Sequence, residues 1–280
     1  MTETAAPADM ATETLAKLFD VRGARVVITG AAAGLGFAMA EVLAECGARV
    51  TLADIHEERL ETSTEKLRAR GCDARPFHVD VSDEGRVQAL FDDVVEAQGG
   101  VDVVFANAGL ASVPGFDVED GQTLATIERS DWDKVLSVNL TGVMHTMRGA
   151  ARLMKPQRSG RIVVTASTAG LRPEPLVCYG YVAAKAAIIH MVHQAALECA
   201  PHNVLVNAIC PGPFYGTLIG GGVTENPTEE MRAMWANLIP LGRMAHPDEL
   251  KGLAVLLASP ASSFMTGAAY LVDGGSLVKV

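Results

Sequence analysis

Short apolar runs alternate along the chain with amphipathic stretches, and the alternation becomes regular from Ala24 onward. Runs rich in β-branched residues occupy 25–29 (RVVIT), 49–53 (RVTLA), 101–106 (VDVVFA), 161–165 (RIVVT) and 203–209 (NVLVNAI). A weaker run lies near 74–79 and a last one near 269–272. Apolar positions at helical spacing fall between them, at 35–47, 57–71, 83–98, 131–155 and 181–200. A continuous apolar run bounded by turns reads as a strand buried on both faces. Such strands alternating with helices predict a Rossmann-type α/β fold. It is a doubly wound parallel sheet of about seven strands, with helices on both faces, in a single domain.

The domain is expected over 21–280, preceded by a flexible extension, 1–20, that ends in a short amphipathic turn around Leu15, Leu18 and Phe19. Two stretches break the rhythm. One is 110–130, polar and turn-rich. The other is 211–243, which opens on Pro211-Gly212-Pro213 and carries Gly220-Gly221-Gly222. Both follow predicted strands, so both emerge at the carboxyl edge of the sheet, where ligands bind in this architecture. The second is read as a substrate lid over about 212–243.

Composition narrows the function. The chain has 280 residues, 49% of them apolar, 5% aromatic and 20% charged, with 27 glycines and a formal charge of −10. An acidic chain with no basic block is a poor binder of nucleic acid or of anionic membranes. The acidic N-terminus has no apolar signal region, and no run of eighteen apolar residues occurs. Five cysteines, odd in number and without a CxxC pair, read as reduced thiols of a cytoplasmic protein. His190 and His193 lie three apart on a predicted helix with no accompanying ligand motif, so no metal site is expected.

The first predicted strand runs directly into Thr29-Gly30-Ala31-Ala32-Ala33-Gly34-Leu35-Gly36 and then into a helix. Glycines allow the sharp turn and the close approach of a pyrophosphate. The helix N-terminus then offers free N–H groups to the phosphates. Gly30, Ala33, Gly34, Leu35 and Gly36 are therefore expected to cradle a dinucleotide. Asp54 ends the second strand, 24 residues after Gly30, with Ile55 following. A carboxylate there accepts hydrogen bonds from ribose hydroxyls and repels a 2′-phosphate, which favours NAD over NADP. The other reading is a strand-terminal Asp capping the next helix. Asp80 and Val81 are placed beside the adenine, with a helix cap as the rival reading, and Asn107-Ala108-Gly109 ends the fourth strand.

Tyr181 and Lys185 stand four apart on a predicted helix, fourteen and eighteen residues after Ser167. Removing a hydride from an alcohol leaves a proton that must also go. A tyrosine can take it if its pKa, near ~10 when free, is brought down by about three units, worth roughly 4 kcal/mol. A lysine ammonium one turn away supplies such a bias. Tyr179 has Ala183 at the same spacing and no such partner.

These residues carry a resemblance to the short-chain dehydrogenase/reductase family, of the roughly 250-residue type. Its marks are TGAAAGLG at 29–36, Asp54, NAG at 107–109, VNL at 138–140, Ser167, YVAAK at 181–185, PG at 211–212 and VDGG at 272–275. The resemblance implies Tyr181 as general acid/base. It gives Lys185 to lowering the phenol's pKa and to holding the nicotinamide ribose, and Ser167 to the substrate oxygen. Asn139 resembles the residue that organises a proton relay behind the lysine, and Pro211, Gly212 and Phe214 complete the cofactor cleft. The chain departs from the pattern in four places. The Ser–Tyr spacing is one residue long, Ala106 replaces an asparagine, Thr217 stands one position late after the PG pair, and segment 110–130 is extended.

The substrate pocket is expected from Ser167, Ala169 and Tyr181, from Phe214 and Tyr215, and from the lid around Met231, Met234 and Trp235. Its apolar and aromatic character predicts a neutral, moderately hydrophobic secondary alcohol or ketone. The lid residues read equally as a helix packed on the core. In similar proteins the helices at 131–155 and 181–200 pack on symmetry mates; here they carry Ala150, Ala151, Ala186, Ala187, Ala195 and Ala196, and a homotetramer is expected. Two further readings stay open: an NADPH-dependent 3-oxoacyl-thioester reductase, and a non-catalytic dinucleotide-binding protein.

Overall fold

The computed structural model describes residues 7–110, 122–174, 176–216, 218–219, 222–223 and 228–279. Seven strands form one parallel sheet: β1 (Arg25–Thr29), β2 (Arg49–Asp54), β3 (Ala74–His78), β4 (Val103–Ala106), β5 (Gly160–Thr165), β6 (Val204–Pro211) and β9 (Ala269–Val272). Their order is β3-β2-β1-β4-β5-β6-β9. The chain winds outward from β1 in one direction and then returns to continue from β4 in the other. The switch point therefore lies between β1 and β4, which pair through Val26–Val103 and Ile28–Phe105. A two-stranded antiparallel ribbon, β7 (Leu218–Ile219) with β8 (Gly222–Val223), stands apart from this sheet.

Side chains alternate across the sheet and divide the core in two. Val27, Val104, Ile162, Val164 and Val206 join one cluster, with Leu90 and Phe91 of α4 (Glu84–Gln98) and Ile188 of α7 (Tyr179–Cys199). Val26, Ile28, Leu52, Phe105 and Val163 face the other way. There they meet Met39 and Leu43 of α2 (Gly34–Glu45), Leu60 of α3 (Glu57–Arg68) and Leu257 of α9 (Lys251–Ala258). Burial of one such Leu or Ile stabilises by about 1.5–3 kcal/mol, which is why continuous apolar strands are required.

Three elements differ from the sequence expectation. Residues Pro7–Leu18 form a helix, α1, where a flexible start was expected; Lys17 pairs with Glu13 one turn away at 2.9 Å, and Leu15 remains 57% exposed. The long helix expected at 131–155 is α5 (Arg129–Leu136) and α6 (Val143–Gln157), joined by a π-helical turn, Ser137–Gly142. Helix α9 was not foreseen, because KGLAVLLA is short and apolar on most faces and shows no helical period. In the lid region, α8 (Glu229–Leu238) follows the β7–β8 ribbon. Thr217 and most of the extended segment 110–130 lie outside the described residues.

Candidate active site

Glycine geometry builds the first wall. Gly30 and Gly34 adopt φ of 66° and 56°, values that other residues rarely tolerate. At Gly36 a methyl would overlap the Gly30 carbonyl and come within 2.6 Å of Asn107 Nδ2. Asn107 locks this turn to the neighbouring strand: its Nδ2 donates to the carbonyls of Thr29 and Gly30 at 3.1 Å, and its Oδ1 accepts from Thr165 Oγ1 at 2.9 Å. Thr29 Oγ1 accepts from the amides of Asn107 and Ala108, both at 3.1 Å. Helix α2 begins directly after the turn with no side-chain cap and no acidic residue in its first turn. Its leading amides lack intrahelical acceptors and face a cavity lined by Gly30, Ala33, Gly34, Leu35 and Gly36.

Asp54 forms the end of that wall and is 8% exposed. Its two oxygens accept from Ala32 N at 3.0 Å and His56 N at 2.9 Å. Helix α3 has no side-chain cap, so Asp54 positions the loop rather than capping the helix. Each oxygen has acceptor capacity left after these bonds, and Asp54 lines the cavity, as does Ile55. Asp80 and Val81 line it too; Asp80 closes an Asx turn on Ser82, while Asp83 caps α4 through Arg86 N at 3.0 Å. Sequence reasoning missed Arg59, on the first turn of α3, which lines the same end of the cavity.

The opposite end carries the hydroxyls. Ser167 follows β5, 9% exposed, and its Oγ accepts from Ala169 N at 3.1 Å. The Ser167 hydroxyl also acts on the Tyr181 hydroxyl, favouring its anion. Burial pushes the Tyr181 phenol above 10.0, and Ser167 works against that rise. Lys185 is 3% exposed; its Nζ donates to Thr165 O at 2.8 Å and lies 5.4 Å from the Tyr181 ring centroid. Burial brings this lysine down from 10.5 to about 8. In this structure the phenol is shifted up rather than down. The ammonium is directed at a backbone carbonyl, and desolvation dominates the tyrosine. Cys210 adjoins Lys185, and burial raises its thiol to about 11, so it stays neutral.

Asn139 sits in the π-helical turn, fully buried, and does not line the cavity. Its Oδ1 accepts from Leu110 N at 2.7 Å and its Nδ2 donates to Leu110 O at 2.6 Å. The amide is spent on clamping the chain just after Gly109, itself beside Lys185. Ala108, Gly109, Pro211 and Gly212 line the cavity as expected positions. Phe214 does not. It bridges to Ala245 and is 1% exposed in the core on the α2 side, because Pro213 takes the cavity side and successive residues point oppositely. Tyr215 packs instead on Trp235, Ile239 and Met244. Of the lid residues Trp235 turns inward and lines the cavity, Met234 is 39% exposed, and the Met231 side chain lies outside the described set.

One cavity of about 420 Å³ therefore runs from Asp54 past the glycine turn to Ser167, Tyr181 and Lys185. Its donor set fits a dinucleotide: uncapped helix amides and bare glycines for phosphates, and a carboxylate for a ribose. A family model described as enoyl-(acyl carrier protein) reductase matches residues 30–276. A crystal structure of a short-chain type dehydrogenase/reductase from Mycobacterium marinum superposes with TM-score 0.83 at 35% identity, over 94% of this chain and 98% of that one. This chain is a short-chain dehydrogenase/reductase. Among similar members, galactitol 2-dehydrogenase of Agrobacterium fabrum is 36% identical, over 89% of this chain and 96% of that protein. The 3-oxoacyl-(acyl-carrier-protein) reductase of Thermotoga maritima is 33% identical, over 92% of this chain and 99% of that protein. Members of this family are oxidoreductases that use nicotinamide dinucleotides. Among the described residues no helix is long and apolar enough to cross a membrane, and no group of three or more His, Cys, Asp or Glu is placed to hold a metal.

Proposed function

We propose that this protein is an NAD(H)-dependent dehydrogenase/reductase that interconverts a neutral secondary alcohol and its ketone. The observation that carries the reading is a single cavity bearing the Ser167–Tyr181 hydroxyl pair and Lys185 at one end and the Asp54 carboxylate at the other. A bound nicotinamide dinucleotide supplies the hydride for reduction and accepts it for oxidation. Ser167 and Tyr181 hold the substrate oxygen between two hydroxyls. Tyr181 donates the proton to that oxygen in reduction and removes it in oxidation. Lys185 keeps a positive charge beneath the phenol and so favours the anion that donation leaves. Because burial holds the phenol protonated at neutral pH, reduction is favoured there, and oxidation gains as pH rises.

Substrate neutrality is supported by the fate of the arginines near the cleft. Arg172 donates to Ser276 O at 2.5 Å and lies 3.7 Å from Glu174. Arg243 is bound by Glu249 at 2.7 Å. Leu176, Val177, Leu238 and Ile239 give the same region an apolar surface. The similarity to galactitol 2-dehydrogenase favours an alcohol of a polyol kind. A cytoplasmic location and a homotetramer belong to the same reading. On α7, Ala186 and Leu197 are exposed for assembly, whereas Ala150 and Ala196 are spent on the protein's own core.

The second reading, an NADPH-dependent 3-oxoacyl-thioester reductase, is favoured by Arg59 at the Asp54 end and by the Thermotoga maritima relative. Absorbance assays over secondary alcohols and their ketones, run with both coenzymes at pH 7 and pH 9, separate the two. The expected result is a preference for NAD(H), with oxidation faster at pH 9. A strong NADPH preference with turnover confined to acyl thioesters overturns the first reading.

A further inference from the structure

Trp235 is 7% exposed and lines the cavity from α8, yet its indole N–H is buried and, among the described residues, meets no acceptor. An indole nitrogen is a donor only, and a buried tryptophan ordinarily finds it a partner. Packing alone does not call for the nitrogen: the ring sits among Ile239, Met244, Leu176 and Tyr215, where a phenyl group would serve. Leu176 packs against Trp235, and close to Leu176 in the chain stands an acidic group. Glu174 lines the cavity two residues before Leu176, with its side chain 18% exposed. Its nearest ion partner, Arg172, stands at 3.7 Å, beyond hydrogen-bond distance. Arg172 itself is directed to Ser276 O. The cavity lining thus holds one buried donor without an acceptor and, two residues from a neighbour of that ring, one carboxylate with acceptor capacity to spare. A hydroxyl group, which both accepts and donates, matches that pair.

We propose that Trp235 is a specificity-determining residue whose indole N–H binds a second hydroxyl of the substrate, remote from the carbon that reacts at Tyr181, with Glu174 accepting that hydroxyl's proton in a hydrogen bond. The substrate is then a polyol or a hydroxylated cyclic alcohol rather than a simple monohydric one. This rests on the alcohol dehydrogenase reading above and names its substrate class. A site built to bond a hydroxyl rejects the analogue that lacks it far more strongly than an apolar pocket rejects a size change.

The test uses the full-length protein with NAD⁺ and matched alcohols: cyclohexanol against the 1,2-, 1,3- and 1,4-cyclohexanediols. The expected wild-type result is at least one diol with kcat/KM ten or more times that of cyclohexanol, the advantage residing in KM. Trp235→Phe keeps the ring and removes the donor. It is expected to lower kcat/KM for that diol at least tenfold more than for cyclohexanol. Should that variant fold poorly, the wild-type protein suffices, since the chain has only two tryptophans. The Trp235 indole N–H resonance then shifts with the diol and not with cyclohexanol. Equal losses on both alcohols, or an indole resonance indifferent to the diol, overturn the proposal while leaving the dehydrogenase reading intact. No turnover of any alcohol with either coenzyme overturns the dehydrogenase reading itself, and this inference with it.

Discussion

The two ends of the cavity are made differently. The Asp54 end is built from short consecutive segments at the carboxyl tips of β1, β2 and β4, and most of what it offers is backbone: glycine φ values, uncapped amides and carbonyls locked by Asn107. The substrate end draws on β5, α7, α8 and the turn after β9, and what it offers is side chains: Ser167, Tyr181, Glu174 and Trp235. Backbone geometry tolerates little change, because a single added methyl meets main chain that cannot move. Side chains on separate elements can be exchanged one at a time without disturbing the sheet. On the reading proposed above, the first end serves a ligand shared by the family, and the second selects what this member acts on.

The contrast can be broken at its chemical centre first. Tyr181→Phe removes the proton carrier and is expected to lower kcat by about a thousandfold. NADH binding, followed by fluorescence titration, should stay within a few-fold of the parent; unchanged turnover would remove Tyr181 from the mechanism. The glycine end should fail in the opposite sense. Gly36→Ala puts a methyl onto the Gly30 carbonyl. Coenzyme affinity is expected to fall by about a hundredfold, or roughly 2.7 kcal/mol. The measurement is the same titration, and an affinity within threefold of the parent would show that the turn yields.

The smallest effect concerns stability and has a defined sign. Lys185 titrates at about 8 in the folded protein against an ordinary 10.5, because burial penalises its charge. The unfolded chain binds the extra proton between those values, so the stability at this site rises as pH climbs from about 8 to 10.5. Below pH 8 the folded state carries the whole penalty, about 3 kcal/mol at 1.36 kcal/mol per pKa unit. Lys185→Met removes the charge and loses one hydrogen bond to Thr165 O, worth about 1 kcal/mol. Urea unfolding at pH 7 should show a net gain of about 2 kcal/mol, and the rise between pH 8 and 10 should flatten. A variant that loses stability would mean that the lysine's hydrogen bond outweighs its burial.

Much of the Asp54 end was legible because its information is local. Gly30, Gly34 and Gly36 are needed within one turn, and Asp54 ends the very next strand, so strand, turn and helix can be read in order. Asp80 was ambiguous because Asp, Ser and Asp at 80, 82 and 83 are all cap residues; only the hydrogen bonds separate the Asx turn at Asp80 from the cap at Asp83. Phe214 was misplaced because nothing in Pro213-Phe214-Tyr215 states which side of an extended segment faces the cleft. Arg59 was missed because it comes to the cavity from the first turn of α3, past the strand end that carries Asp54.

Periodicity determined the sheet and its winding, because a parallel strand must be apolar on both faces, while the family was carried by resemblance, through the ordered motifs from TGAAAGLG at 29–36 to VDGG at 272–275. The order of motifs also named Ser167, Tyr181 and Lys185, which the fold brings to one cavity. Tertiary structure alone decided the direction in which the phenol is shifted, upward through burial. It also decided which lid residue turns inward. Both outcomes depend on what distant segments leave exposed, and a linear pattern carries local spacing but not the desolvation that packing imposes.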